Sequence, residues 1–228
     1  MTNKNQFETD VLPTSAGDLF ITFLGHGSLL MVFNGKNIYV DVFGDVADYS
    51  KLPQADIIFL THEHSDHLDP KALAFIRNEK TVMVFTEACA QQITGGIVMR
   101  NGDVQTVAGL PVEAVPAYNL IHKRDNGLPF HPKGSGNGYV LTFGETRLYI
   151  AGDTENIPEM KALKNISVAF LPMNLPYTMT PEMVADAAKA FRPRVLYPYH
   201  YGKTDVSKLD EFLKEGENKI EVRIRMMA

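Results

Sequence analysis

The chain has 228 residues, of which 45% are hydrophobic and 21% charged, an ordinary globular composition with enough length for one large α/β domain. Lysine and arginine total 22 against 27 aspartate and glutamate residues, a net charge of −5, so nucleic-acid partners are not expected. The one cysteine, Cys89, allows no intramolecular disulfide and no cysteine-rich zinc site.

The chain shows neither a long apolar run nor the apolar core of a signal peptide. We therefore expect a cytoplasmic protein without a membrane segment, monomeric or homo-oligomeric, that acts on a small-molecule substrate. An exported form whose signal peptide has been removed would show the same pattern.

Residues 1–16 are polar and predict a loose leader, followed by a single domain over residues 17–228. The domain begins with three predicted strands, at residues 18–24, 28–33 and 36–42. Asn34-Gly35, between the second and third, is a strong hairpin signal. His26 stands between two glycines and is either structural or directed at a site. Asp41, at the end of the third strand, either shapes a turn or orients a metal-binding histidine.

A dense histidine motif, Thr61-His62-Glu63-His64-Ser65-Asp66-His67, holds three of the seven histidines. It lies between an apolar run at 56–60 and Leu68-Asp69-Pro70, which predicts a buried strand, a ligand-bearing loop and a helix start. If His62 and His64 continue the strand, both point to one side and can reach one cation. Asp66 and His67, on the following turn, can reach a second cation, as in a two-metal hydrolytic centre. The alternative is a histidine-rich surface loop.

The middle of the chain predicts further strands, a long functional loop and a short helix. The helix is expected over residues 86–93, ended by Gly95-Gly96. The strands are expected at residues 81–85, 104–107, 111–115, 139–143 and 146–150. The loop, residues 120–138, is rich in glycine, proline and charge, as functional loops often are. It contains His122, Lys123, Arg124, His131 and Lys133.

Two more metal-binding candidates follow predicted strands. Asp153 comes directly after the 146–150 strand, and its two carboxylate oxygens could bridge two cations. His200 follows a strand at 195–197. Helices are predicted from the Thr180 cap to about Phe191 and over residues 206–215, with a strand at 167–171 and a last one at 220–224.

The order and spacing of the 61–67 motif, Ala151-Gly152-Asp153-Thr154 and Pro198-Tyr199-His200 resemble the metallo-β-lactamase superfamily. More narrowly, they are similar to the branch related to ascorbate-6-phosphate lactonase and N-acyl-phosphatidylethanolamine phospholipase D. The resemblance spans roughly residues 18 to 203. It implies an α/β fold, a four-layer αβ/βα sandwich with the metals at one edge of the two sheets.

The resemblance also implies a ligand set. His62 and His64 would hold the first metal, Asp66, His67 and His200 the second, and Asp153 would bridge the two. One position departs from the family pattern, because Asn119 stands where the family supplies a third histidine to the first metal. Three interpretations stay open: Asn119 is itself a ligand, His131 or His122 takes its place, or water does.

The implied activity is hydrolysis by a hydroxide that bridges two divalent metal ions, with zinc favoured and manganese or iron as alternatives. Asp66 would aim this hydroxide and His131 would assist the leaving group, so both are candidate catalytic residues. The expected substrate is a small ester, lactone or phosphodiester. Two other interpretations are an iron-dependent redox protein on the same fold and a metal-binding protein without catalysis.

Overall fold

The computed structural model describes residues 7–213 and 220–228. Its regular elements are fourteen strands, four helices and two short 3-10 turns. The strands are β1 (Glu8–Thr14), β2 (Gly17–Gly25), β3 (Ser28–Phe33), β4 (Lys36–Val40), β5 (Ile57–Phe59), β6 (Val82–Phe85), β7 (Ile97–Val98), β8 (Val104–Val107), β9 (Leu110–Ala117), β10 (Gly136–Phe143), β11 (Thr146–Ile150), β12 (Val168–Pro172), β13 (Val195–Tyr199) and β14 (Glu221–Val222). The helices are α1 (Pro70–Ile76), α2 (Pro158–Lys161), α3 (Pro181–Phe191) and α4 (Lys208–Leu213), and the 3-10 turns are Tyr49–Lys51 and Cys89–Gln91.

The strands form two seven-stranded sheets with the same topology. The first sheet runs in the order β1 to β7 and the second in the order β14 to β8. In each half of the chain, the first four strands pair antiparallel and the last three join them in parallel. Loops that follow parallel strands leave a sheet at one edge, which is where such folds place ligand-binding side chains.

Three apolar clusters define the layers of the molecule. The inner faces of both sheets share one core, in which Phe23 and Phe59 of the first sheet join Phe170 and Tyr197 of the second. A second cluster lies between the second sheet and α2, α3 and α4. A third lies between the first sheet and α1. This arrangement confirms the predicted four-layer α/β sandwich.

The two best-defined helices begin where the sequence predicts. The Asp69 carboxylate accepts hydrogen bonds from the backbone of Lys71 and Ala72 at the start of α1. At the start of α3, the Thr180 hydroxyl accepts one from Met183. Both helices have proline as their first residue, where its missing N–H costs nothing.

Some elements differ from the sequence-based predictions. Residues 8–14, assigned to the loose leader, form β1 and pair along their whole length with β2, while residues 1–6 lie outside the described part of the chain. The predicted helix at 86–93 is only the 3-10 turn Cys89–Gln91, in which the N–H groups of Gln91 and Gln92 bond to carbonyl oxygens three residues back instead of four. The last predicted strand shortens to β14. Residues 214 and 215 of the predicted terminal helix lie outside the described residues.

Candidate metal centre

Six of the seven histidines converge at one edge of the two sheets. They come from the β2–β3 turn, from the loops after β5 and β13, and from the loop that precedes β10. The histidines are His26, His62, His64, His67, His131 and His200, and they meet the carboxylates of Asp66 and Asp153. Segments far apart in sequence therefore supply one compact group of nitrogen and oxygen donors.

His62, His64 and His131 form the first part of the centre, with ring nitrogens within 4.8 Å of one another. His62 Nε2 lies 3.1 Å from His64 Nδ1. Two donors of one tetrahedral zinc ion, each about 2.0–2.1 Å from the metal, lie roughly 3.3 Å apart. The imidazoles after β5 are therefore spaced as a shared cation requires.

His131 is oriented by Asn119. The Asn119 Oδ1 atom accepts hydrogen bonds from both the backbone N–H and the Nδ1 atom of His131, each 2.8 Å long. With its proton on Nδ1, His131 presents the lone pair of Nε2, and this atom lies 3.2 Å from Asp153 Oδ2. The amide oxygen at 119 thus faces the imidazole of His131, and the imidazole faces the centre.

Glu155 holds the loop that carries Asn119. Its side chain is 0% exposed, and it accepts hydrogen bonds from three consecutive backbone N–H groups, at residues 120, 121 and 122. It also accepts one from Asn119 Nδ2, and its Oε1 lies 2.7 Å from His122 Nδ1. His122, one of the sequence candidates, therefore faces Glu155 and is in none of the metal-competent groups of described residues. Sequence reasoning missed Glu155, although its position two residues after Asp153 was an available signal.

His67 and His200 form the second part of the centre with Asp66 and His26. His67 Nδ1 donates to Asp41 Oδ2 at 2.7 Å, which leaves His67 Nε2 directed at the centre. Asp41 is fully buried and also accepts from the backbone N–H and the hydroxyl of Thr61. Of the two roles considered for Asp41, the contacts match that of orienting a histidine.

His26 contacts this second group rather than the protein core. Its Nε2 lies 3.0 Å from Asp66 Oδ2, and its ring centroid lies 3.7 Å from that of His200. His26, Asp41 and His200 all have positive φ values, 54°, 49° and 46°. Non-glycine residues adopt this conformation at a cost, and such strain concentrates at functional sites.

Asp153 lies between the two groups. Its Oδ1 is 3.5 Å from His67 Nε2, and its Oδ2 is 3.5 Å from His200 Nε2 and 4.0 Å from His62 Nε2. The preceding Gly152 has φ 65°, and a Cβ atom there would lie 2.8 Å from the carbonyl oxygen of Asn137. Only glycine fits this tight turn without strain, and the turn directs Asp153 into the centre.

The electrostatics of the centre lower the pKa of its two carboxyl groups and shift the pKa values of three of its imidazoles in different directions. Burial lowers the pKa of His62 well below its usual value, and it lowers the pKa of His64 as well. Burial opposes charge on His67 too, but the carboxylates of Asp153 and Asp41 raise its pKa to about 9. Although burial raises the pKa of Asp153, the positive charges of His200 and His67 hold it far below the ordinary range.

Several of these donor atoms have no hydrogen-bond partner among the described residues. They are His67 Nε2, His200 Nε2 and Asp153 Oδ1, all buried. Unpaired buried polar atoms are costly and need an explanation. Three such atoms, of which His67 Nε2 and Asp153 Oδ1 lie 3.5 Å apart, fit a centre that binds divalent cations, for which imidazole nitrogen and carboxylate oxygen are suitable ligands.

A cavity of about 380 Å³ opens directly onto the centre, a volume within the usual range for small-molecule sites. Its lining is mixed and includes residues from the loops after β5, β9, β11, β12 and β13. The lining residues are His64, Ser65, Asp66, Arg124, Phe130, His131, Asp153, Asn174, Tyr177 and His200. No helix in residues 7–213 or 220–228 is long and apolar enough to cross a membrane.

The family model described as the beta-lactamase superfamily domain matches residues 20–200 of the chain. The chain belongs to the metallo-β-lactamase superfamily. The match includes every histidine of the centre and both of its carboxylates, and it confirms the superfamily resemblance. The match does not support the narrower resemblance to the branch of the lactonase and the phospholipase.

Members of the superfamily with closely similar sequences or structures cover almost the whole chain. A metal-dependent hydrolase from Methanopyrus kandleri is 30% identical over 210 residues, which are 86% of this chain and 91% of that protein. The crystal structure of a candidate metal-dependent hydrolase from Parabacteroides distasonis has a TM-score of 0.92 and 47% identity, and covers 97% of this chain and 100% of that one. A metallo hydrolase from Ignicoccus hospitalis has the same fold, with a TM-score of 0.71 at 24% identity over 90% of this chain and 94% of that one.

Proposed function

We propose that the protein is a hydrolase that uses two divalent metal ions to cleave a small ester, lactone or phosphodiester. The proposal is carried by the convergence of six imidazoles and two carboxylates, three of whose buried donor atoms have no partner among the described residues. Relatives that are named metal-dependent hydrolases support it.

The first metal would be held by three nitrogen atoms, His62 Nε2, His64 Nδ1 and His131 Nε2. His131 would then be the third ligand of the first metal, the role that one interpretation of the sequence gave to Asn119. Asn119 would act on the metal only by orienting His131. The two hydrogen bonds from His131 to Asn119 Oδ1 support this assignment over direct ligation by the amide. His131 is accordingly a ligand in this proposal rather than an acid for the leaving group.

The second metal would be held by His67 Nε2, His200 Nε2 and Asp66, with Asp153 between the two metals. The Asp66 side chain is 36% exposed, whereas those of His67 and His200 are at most 2% exposed. Of these three ligands, Asp66 is therefore the most exposed to the open cavity. His26, 3.0 Å from Asp66 Oδ2, holds the carboxylate in that direction.

Two bound divalent cations would lower the pKa of a shared water toward about 7 and polarise the carbonyl or phosphoryl oxygen of the substrate. The protein's own residues add orientation. Asp66 accepts a hydrogen bond from the attacking water, and Asp41 and Asn119 keep the imidazoles of His67 and His131 in their metal-binding tautomers.

The substrate class is narrowed by the cavity. About 380 Å³ accommodates a small organic molecule. The resemblance noted in the sequence favours a lactone first, and the cationic side chains of Lys123, Arg124 and Lys133 favour a phosphodiester second.

The test compares turnover of lactones, simple esters and phosphodiesters by metal-stripped protein and by protein reloaded with zinc or manganese. We expect hydrolysis of at least one class, lost on chelation and restored by metal. Hydrolysis that is indifferent to chelation would refute the metal-dependent mechanism. Metal analysis of protein purified without added metal tests the redox alternative, which iron with a visible absorption band would favour. The absence of turnover with both metal sites filled would favour the non-catalytic alternative.

A further inference from the structure

The cavity wall carries one arginine, Arg124, whose charge the proposed chemistry does not use. The loop before β10 contributes three cationic side chains, at residues 123, 124 and 133. Lys133 is paired elsewhere, since its Nζ atom lies 2.8 Å from Glu159 Oε1 and 3.3 Å from the Tyr118 hydroxyl. Lys123 does not line the cavity, whereas Arg124 does.

Arg124 is held in place by Phe130. Its Nη2 donates a 3.2 Å hydrogen bond to the Phe130 carbonyl oxygen, and the guanidinium carbon lies 5.2 Å from the centroid of the Phe130 ring. The Phe130 ring packs edge-on against Tyr177 at 5.0 Å. A guanidinium that rests on an aromatic ring keeps a defined orientation while its remaining N–H groups stay available.

The segment that carries Arg124 is anchored to the metal centre. The backbone N–H of Asn119 donates to the His131 carbonyl, and the backbone N–H of Arg124 donates to the Leu128 carbonyl. These bonds close a hairpin-like loop with His131 at its base and Arg124 near its tip. The position of the guanidinium is therefore coupled to the position of a proposed metal ligand.

The charge of Arg124 is not neutralised within the described part of the chain, where no carboxylate oxygen lies within 4.0 Å of its guanidinium. The two carboxylates that line the cavity face histidines instead, since Asp66 Oδ2 lies 3.0 Å from His26 Nε2 and Asp153 Oδ2 lies 3.2 Å from His131 Nε2. With two divalent cations bound, the positive charges in this cavity would outnumber the negative ones. An unpaired guanidinium beside such a centre favours an anionic ligand.

We propose that Arg124 binds a carboxylate or phosphate group of the substrate, separate from the bond that is cleaved, while the body of the substrate packs against Phe130 and Tyr177. This proposal rests on the proposed hydrolase function and specifies its substrate class, a small ester or lactone that carries a second, negatively charged group. A guanidinium suits either oxyanion, because its parallel N–H groups pair with two oxygens at once.

The test measures selectivity for charge. The 4-nitrophenyl half-esters of succinate, glutarate and adipate are compared with neutral 4-nitrophenyl esters of the same chain length, using zinc-loaded protein. We expect a higher kcat/KM for at least one half-ester than for its neutral partner. In Arg124→Gln this ratio should fall by about tenfold or more, because a charge-assisted, bidentate contact is lost. Arg124→Lys keeps the charge but lacks the parallel N–H groups of a guanidinium, so its ratio should lie between those of Arg124→Gln and the unsubstituted protein. Lys123→Gln is the matched control, because Lys123 is the neighbouring residue in sequence and does not line the cavity. It should keep the ratio of the unsubstituted protein.

A second measurement separates failure of this proposal from failure of the hydrolase function. Calorimetric titration of the zinc-loaded protein compares glutarate with butyrate, and Arg124→Gln should weaken glutarate binding selectively. If no ester, lactone or phosphodiester is cleaved but this selective loss is seen, the anion site stands and the hydrolase proposal fails. If esters are cleaved but Arg124→Gln changes the charged-to-neutral ratio by less than twofold, the anion site is refuted. Failure of glutarate to bind more tightly than butyrate to the unsubstituted protein would also refute it.

Discussion

Replacement of Asn119 by alanine tests how the proposed first metal site is completed. The Asn119 amide makes four hydrogen bonds, two accepted from His131 at 2.8 Å and two donated, to Glu155 at 3.1 Å and to the Tyr177 carbonyl at 2.9 Å. Without it, the His131 imidazole loses the acceptor that fixes its tautomer and its direction. Loss of such an orienting group typically weakens metal binding by about 10- to 100-fold, or about 1.4–2.8 kcal/mol.

The prediction is therefore an order of effects. Asn119→Ala should weaken the first zinc site by about 10- to 100-fold, and His131→Ala should weaken it further, because a donor atom is lost outright. Competition between the metal-free variants and a chromophoric chelator measures both zinc affinities of each protein. His200→Ala is the matched control, since it should weaken the other site.

The reasoning would be refuted if Asn119→Ala lost as much zinc affinity as His131→Ala, or more, because Asn119 would then be the direct ligand. The double variant Asn119→His with His131→Ala adds a second check. A histidine at 119 lies where the superfamily pattern expects one, so it should recover part of the affinity that His131→Ala loses. In the cobalt-substituted double variant, the visible absorption of a site with three nitrogen donors should also return.

Three further predictions follow from the contacts around the centre and at the edge of the second sheet. Glu155→Gln should lower the free energy of unfolding by about 3 kcal/mol, because an amide nitrogen would face buried N–H donors. Urea denaturation measures this loss, with the more exposed Glu159→Gln as the control. Equal losses of unfolding free energy in the two variants would contradict the prediction. Burial raises the pKa of Asp10, but hydrogen bonds from Tyr197 and Arg225 hold that pKa below its usual value. The stability that the ionised Asp10 contributes is therefore present above about pH 4 and is lost as the pH falls through the lowered pKa. The unfolding free energies of the unsubstituted protein and Asp10→Asn should thus differ by about 1–3 kcal/mol at pH 7 and converge at lower pH, and a gap that stays constant down to pH 2 would contradict this. Removal of metal by a chelator should lower the Tm, and readdition of zinc should restore it. The stabilisation by free zinc at a hundredfold excess over its Kd is equivalent to about 2.7 kcal/mol. An unchanged Tm would contradict a metal bound to the native state.

Several local signals in the sequence were informative. Asn34-Gly35 predicted the β3–β4 hairpin, and Thr180 followed by Pro181 predicted the start of α3, because turns and caps depend on a few neighbouring residues. The prediction was wrong for residues 8–14, a polar stretch that becomes a strand by pairing with β2. A strand at the edge of a sheet needs few apolar side chains, so its partner, more than its own sequence, determines it.

The sequence singled out His62, His64, Asp66, His67, Asp153 and His200 as candidate metal ligands, from histidine spacing and from the superfamily resemblance, and the structure brings these side chains together. The sequence left open which residue completes the first metal site, and His26 and Asp41 had two interpretations each. The tertiary structure decided which atoms face each other: Asn119 Oδ1 faces His131, Asp41 faces His67, and His26 faces Asp66. Hydrogen bonds between residues 12 to 40 positions apart depend on how the loops close in space, and no local pattern of residues encodes that distance.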